Sequence, residues 1–403
     1  MQRRQFLSRA VVALALTAGS VRLMAASPGT PRLLVVFLRG AYDAASLLVP
    51  IGSPFYYEQR PNIAIARPGS AADAAIPLNA DWGLHPVLID TMLPLFERRQ
   101  LAFVPFAGTD DVSRSHFETQ DSIELGQPLT GVRDFQSGFM NRLAQVLGAR
   151  DAIAFTDQLP LTFRGQLQVP NLALGNLGKP SFDARQAQLI WGMYQGSPLG
   201  GVVQEGFSVR DEALREINGT ASADMANEML AASRNAITAK GFEGEARRVA
   251  RLMRERYHLG FVDVGGWDTH VGQGAGTGYL ANRLAELGKG LAAYADEMGP
   301  AWNDATVVVV SEFGRTFKEN GNRGTDHGHG SVYWVLGGSV RGGRVVGEQV
   351  PVNAPSLFQN RDYQVLNEYR AMLGGLFARL YGLSPTQVQR VFAGVAARDL
   401  GIA

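Results

Sequence analysis

Cysteine is absent from the 403 residues, and histidine is scarce, with six in all. The chain therefore has no disulfide framework, no thiolate zinc site and no cysteine nucleophile. Any metal must sit on histidine, aspartate, glutamate or backbone oxygen. Charge is also thin, at 19%, and 38 basic residues stand against 37 acidic ones. So even a balance excludes a nucleic-acid binder that works by neutralising phosphates. An apolar fraction of 46% excludes a disordered chain. Several nucleotide and esterase signatures are missing too. There is no Gly-x-x-x-x-Gly-Lys-Ser/Thr and no Gly-x-Ser-x-Gly. The glycines from Gly272 to Gly278 fail the dinucleotide pattern, because Thr277 holds the third glycine's place.

What is present begins with a leader. Residues 1–26 open on Arg3-Arg4 and Phe6-Leu7, continue through an uncharged run from Ala10 to Gly19, and end on small residues after Arg22. A basic start, a short apolar stretch and a small-residue end describe a secretory signal. The run is too short to span a bilayer. The paired arginines resemble a twin-arginine export signal, which implies the twin-arginine translocase as partner during export and the periplasm as destination. Cleavage removes four arginines and no acid, leaving a mildly acidic single domain over 27–403.

Four apolar, β-branched runs predict strands buried on both faces: 32–38, 101–105, 260–264 and 306–310. Between the last two, Leu280, Leu284, Leu287, Leu291, Tyr294 and Met298 recur on one helical face, and Pro300 marks the end. Strand, helix, strand is a βαβ unit, so the expected class is α/β with a mostly parallel sheet covered by helices on both faces. Residues 207–257 are rich in Ala, Glu, Arg and Met and predict a helical insertion without strands, broken at Asn218-Gly219 and at Gly241. Leu373, Phe377 and Leu380 predict a late helix ended by Gly382, and Ser384-Pro385 starts another.

Ligands of open α/β sheets bind beyond the carboxyl ends of the strands, and the unusual polar residues fall there. The first strand leads into Arg39-Gly-Ala-Tyr-Asp43, and the second into a stretch holding Ser113, Arg114, Ser115 and His116. The third leads into Gly265-Gly-Trp-Asp-Thr-His270. The fourth leads into Ser311-Glu-Phe-Gly-Arg-Thr316 and then Asp326-His-Gly-His329. Imidazole with carboxylate suits zinc, manganese or iron, and is too nitrogen-rich for calcium. An ion so held activates water or a serine oxygen and polarises an ester, and two ions can clamp a phosphoryl transfer. A serine at a helix start would be the nucleophile where backbone N–H groups face an anion. Arginines would hold the remaining anionic oxygens. Each has a plainer reading: Ser115 as a simple cap, His116 as a donor to a carboxylate, Arg315 as the partner of Glu312 or Asp326. His85 reads as a turn residue and His258 as a satisfied structural one.

At these motifs the chain resembles the bacterial family known as domain of unknown function 1501. The resemblance covers nearly the whole mature chain and rests on Arg39–Asp43, Arg114–Phe117, Gly265–His270, Ser311–Thr316 and Asp326–His329. That family is in turn similar to the alkaline phosphatase and sulfatase superfamily, which implies a three-layer α/β/α fold with metals at the strand ends. The resemblance implies Asp43 as the acidic ligand after the first strand, and Ser115 (or Ser113) as nucleophile. It further implies Asp268 and His270 as ligands of one metal, with His327 or His329 as the late histidine. Glu312-Phe313 stands where the superfamily has an Asp-His pair.

The reading that results is an exported metal-dependent hydrolase of phosphate or sulfate esters. Its expected ligands for one or two zinc or manganese ions are Asp43, His116, Asp268, His270, Glu312, Asp326, His327 and His329. Ser115 is the candidate nucleophile, and Arg39, Arg114 and Arg315 are the anion holders. The alternatives are a non-catalytic protein of the cell envelope that binds metal or a polymer, and a metal-using oxidoreductase.

Overall fold

A computed structural model describes residues 29–149, 151–174 and 231–403. The leader and the first part of the expected insertion, including Asn218-Gly219, lie outside the described residues.

The central sheet is built from β1 (Arg32–Leu38), β2 (Leu101–Gly108), β3 (Ala152–Phe155), β4 (Ile237–Thr238), β5 (Leu259–Gly265), β6 (Ala305–Ser311), β7 (Ser331–Gly337), β8 (Arg344–Val345) and β9 (Asn367–Glu368). Its order is β8-β2-β7-β6-β1-β5-β3, with β9 also on β2 and β4 also on β5. Only β7 runs antiparallel to its neighbours, β2 and β6; every other pairing is parallel. A second, three-stranded sheet joins Leu48–Val49, Gly83–Leu84 and Ile76–Pro77.

The β1 sequence Arg-Leu-Leu-Val-Val-Phe-Leu is buried throughout, and its alternation divides the core. Leu34, Val36 and Leu38 face helices α3 (Phe242–Glu255) and α4 (Tyr279–Met298). Leu33, Val35 and Phe37 face α2 (Phe139–Leu147), α5 (Tyr369–Tyr381) and α6 (Pro385–Val391), beside α1 (His116–Leu125). The chain is therefore a mixed α/β fold with helices on both faces of a mostly parallel sheet. The late helices end and start where their caps predict: Gly382 takes a left-handed conformation, and Ser384 and Gln387 form a capping box ahead of Pro385.

The stretch 231–257 departs from expectation. Ile237–Thr238 is a strand on Val264 and Gly265. Helix α3 belongs to a layer of the fold, burying Phe242, Ala246, Val249, Ala250 and Met253 in the core it shares with α4. These five form a narrow apolar stripe, and arginine and glutamate cover the rest of α3, so its sequence reads as a helix without showing which layer it joins.

One edge of this sheet gathers the polar motifs. The carboxyl ends of β1, β2, β5 and β6 and the amino end of the reversed β7 all lie there. Gly40 fits the join between the β1 and β5 loops: its φ is +114°, and a Cβ would stand 2.9 Å from the Asp268 nitrogen. The loops after β6 pair with each other through Arg315 and His327. There Gly328 lies so close that a Cβ would meet the Arg315 carbonyl carbon at 2.4 Å.

Candidate metal centre

Three imidazoles and one carboxylate meet at this edge. His116 opens α1, and its Nε2 lies 2.9 Å from Nε2 of His327. His270 Nε2 is 3.1 Å from the same atom. Asp268 brings Oδ1 to 2.9 Å from His270 Nε2 and 3.5 Å from His327 Nε2, and its Oδ2 to 3.5 Å from His116 Nε2. The ligand atoms of His116, Asp268 and His327 all lie within 4.8 Å of one another. Two imidazole nitrogens on one tetrahedral zinc keep about 3.3 Å between them, so these spacings suit a shared ion.

The outer nitrogens decide what the inner ones can do. His327 Nδ1 faces the Arg114 carbonyl at 3.0 Å, an acceptor only, so Nδ1 carries the hydrogen and Nε2 is bare in the neutral ring. His116 Nδ1 faces Glu312 Oε1 at 2.8 Å with the same consequence. His270 stands between two carboxylates, Asp326 at 3.3 Å from Nδ1 and Asp268 at Nε2. Asp268 Oδ2 is buried with no hydrogen-bond donor. Lone pairs thus face lone pairs, an arrangement that a cation or an extra proton must relieve. Burial works to lower the His116 pKa, but the Asp268 and Glu312 carboxylates beside it raise it to about 9. The residues fit a divalent ion well.

Around this point the supports are specific. Glu312 is fully buried and takes four donors: Gly40 N, His116 Nδ1, Gln120 Nε2 and Ser311 Oγ. Burial would raise its pKa, but His116 above all brings it down to about 2. Arg315 binds Asp268 Oδ1, Thr325 Oγ1 and the Thr325 carbonyl. Against the burial that raises it, the Arg315 charge holds the Asp268 carboxyl well below the usual range. Phe313 packs on the rings of His116 and His327, with centroids at 4.9 and 5.3 Å. Arg114, at φ +54°, is strained backbone whose carbonyl holds His327.

With these strand-end motifs brought to one edge, a family model for Protein of unknown function (DUF1501) matches residues 30–392. The chain belongs to this family. No curated protein matches it. Among solved structures it is similar to a protein in the alkaline phosphatase superfamily from Vibrio parahaemolyticus, at 12% identity and a TM-score of 0.40, covering 94% of this chain and 71% of that one. The C-terminal periplasmic domain of EcEptC from Escherichia coli, in complex with zinc, gives 10% identity and a TM-score of 0.36, covering 78% and 74%. Ps i-CgsB in complex with k-i-k-neocarrahexaose gives 10% and 0.37, covering 89% and 74%.

In this DUF1501 chain the expected ligands separate into groups. His116, Asp268, His270 and His327 converge. Glu312 and Asp326 stand behind His116 and His270, each with an oxygen on the Nδ1 side, and so orient rings. Asp43 is taken up elsewhere: both oxygens are on Arg60, and Ser46 and Gln273 complete its shell. His329 leaves the group because the chain bends there, and its ring packs on Phe358 at 4.8 Å.

The expected anion holders all bind protein partners. Arg39 binds Asp263, Glu124 and Gln120. Arg114 binds Asp362 and Gln359. Arg315 is on Asp268 rather than on Glu312 or Asp326. Ser113 Oγ engages Thr119 Oγ1 and the Ser115 N–H, whereas Ser115 caps α1 with no side-chain cap bond.

Sequence reasoning missed Arg60, Gln120, Gln273, Glu124, Asp263 and Asp362. Asp263 carried a signal, a charge inside the apolar run 260–264. The others lie in unremarkable local contexts.

Replacing Glu312 by glutamine should weaken metal affinity by about 10–100-fold with the four convergent groups intact. Competition of the wild type and variant with a chromogenic chelator measures this; equal affinities would mean that Glu312 does not orient His116.

Proposed function

We propose that this protein is an exported metal-dependent hydrolase of phosphate or sulfate esters, with His116, Asp268, His270 and His327 holding zinc or manganese. The observation that carries this reading is the convergence of three Nε2 atoms on the buried Asp268 carboxylate, whose Oδ2 has no donor. A divalent ion there lowers the pKa of a hydroxyl or water and polarises the ester. Glu312 and the Arg114 carbonyl keep His116 and His327 turned inward with their hydrogens on the outer nitrogens, and Asp326 stands at the outer nitrogen of His270. Ser115 is the candidate nucleophile. It sits at the start of the ten-residue α1, where the first backbone N–H groups favour an anion, and next to His116.

Ser115→Ala should keep full metal content and lower kcat on p-nitrophenyl phosphate or sulfate by at least about a hundredfold. Unchanged turnover would remove Ser115 from the reaction. Full activity on every ester in a Ser115→Ala, His270→Ala double variant would sink the whole proposal.

A second reading is a metal-binding envelope protein without turnover. The full commitment of Arg39 and Arg315 to buried protein partners favours it, since of the three expected anion holders only the partly exposed Arg114 keeps a terminal nitrogen free for an anionic oxygen. Loss of thermal stability on chelation, without hydrolysis across an ester panel, would support that reading over the first.

A further inference from the structure

We infer that the centre holds a single divalent ion, because the buried acid best placed by sequence to hold a second, Asp43, is already neutralised by a guanidinium. This deepens the metal-dependent reading and rests on it. Arg60 is 0% exposed and meets Asp43 through both terminal nitrogens, at 2.5 and 2.9 Å. The same guanidinium is locked from behind by the carbonyls of Phe317 and Thr316, at 2.7 and 3.1 Å. It also lies against the rings of Tyr56 and Phe317. It cannot swing away without leaving a buried charge unpaired.

Both Asp43 oxygens face donors, Oδ1 the second terminal nitrogen of Arg60 and Oδ2 three groups at once. Oδ2 accepts from Arg60, from Ser46 Oγ at 2.7 Å and from Gln273 Nε2 at 2.7 Å. Gln273 Oε1 in turn takes the hydroxyls of Thr269 and Thr325, and Thr325 Oγ1 accepts from Arg315, the partner of Asp268. The Asp43 cluster is thus a filled polar network set behind the convergent group. A dication entering it would meet a fixed positive charge and displace several satisfied hydrogen bonds.

Other acids cannot make up the loss. Glu312 has its two oxygens occupied by four donors, and Asp326 is half exposed beside Asn320 and His270. Among the described residues, one group alone brings three or more His, Asp or Glu ligand atoms together.

The test is cobalt(II) titration of the chain, purified without a histidine tag or chelator, read by visible absorption and checked by elemental analysis. Saturation at one equivalent is expected. Asp43→Asn, with folding checked by circular dichroism, should still bind one equivalent. Saturation at two equivalents in the wild type would overturn the inference and leave the hydrolase reading standing. Failure of folded Asp43→Asn to bind cobalt would make Asp43 a ligand and overturn it as well. Absence of binding to the wild type would remove both the inference and the reading it rests on. If Asp43→Asn does not fold, the wild-type stoichiometry alone decides.

Discussion

His327→Ala is expected to lose the divalent ion at micromolar metal and to hydrolyse esters at least about a hundredfold more slowly. His327 is the hub of the convergent group, since its Nε2 lies within reach of His116, His270 and Asp268 alike. Its ring is 17% exposed and sits in a glycine-rich loop, so alanine removes a ligand atom with little loss of core packing. The fold should therefore survive. Wild type and variant in excess chelator should unfold at nearly the same temperature, and only the wild type should gain stability when zinc is added. A variant that retains one equivalent of metal would show that the ion sits elsewhere. A variant with equal metal loss but a large stability deficit in chelator would mean that His327 is chiefly structural.

Arg39→Met should destabilise the fold by about 3–5 kcal/mol at neutral pH, although Arg39 lies outside the convergent group. Its guanidinium reaches Asp263 at 2.6 Å, Glu124 at 2.9 Å and Gln120 at 2.9 Å, all buried at the end of β1. Removing it leaves Asp263 in the interior without its cation and Glu124 with only Arg234, 3.9 Å away. Burial already pushes the Asp263 carboxyl above its ordinary value of 3.8, and Arg39 is the main influence opposing that rise. Without the arginine it rises further. A carboxyl raised on folding costs stability above its unfolded pKa, and the cost disappears once both states are protonated. The deficit of the variant should therefore shrink as pH falls toward 3.8. Urea unfolding at a series of pH values measures it, and a deficit that grows on acidification would contradict the argument. Replacing Asp263 by Val and Glu124 by Leu as well should recover much of the loss, because a well-packed apolar substitute avoids the desolvation cost. Gln120 links this triad to Glu312, so metal affinity in Arg39→Met is a second readout.

The structure also separates two kinds of committed arginine. Arg39 and Arg60 neutralise buried acids whose charge would otherwise be unsupported. Arg315 instead fixes one oxygen of Asp268 and leaves the other without a donor. That asymmetry leaves the free oxygen of Asp268 beside His116, open to the proposed ion.

Much of this molecule was legible in the order of its residues. The runs at 32–38, 260–264 and 306–310 are strands because β-branched residues without a polar face can only be buried on both sides. The stepping leucines of α4 and the caps at Gly382 and Ser384 are local properties of the chain. Placement of the polar motifs at the carboxyl ends of strands also follows from sequence, since each motif comes directly after a run. The place of α3 in the fold was not legible, because an amphipathic helix reads alike in an inserted cap and in a layer against the sheet.

Which polar residues would meet was decided only by the tertiary structure. Asp43 and His329 carry the right chemistry and lie in the right motifs. Yet Arg60, seventeen positions further on, closes over Asp43, and a bend turns His329 onto Phe358. Conversely His116, which from sequence was as readily a donor to a carboxylate as a ligand, places Nδ1 on Glu312 and leaves Nε2 at the convergent point, where the proposed ion would need it. Sequence chose the residue types and the strand ends that carry them. The direction of each imidazole depends on a partner far away in the chain, and such pairings exist only once the sheet has set β1, β2, β5, β6 and β7 side by side.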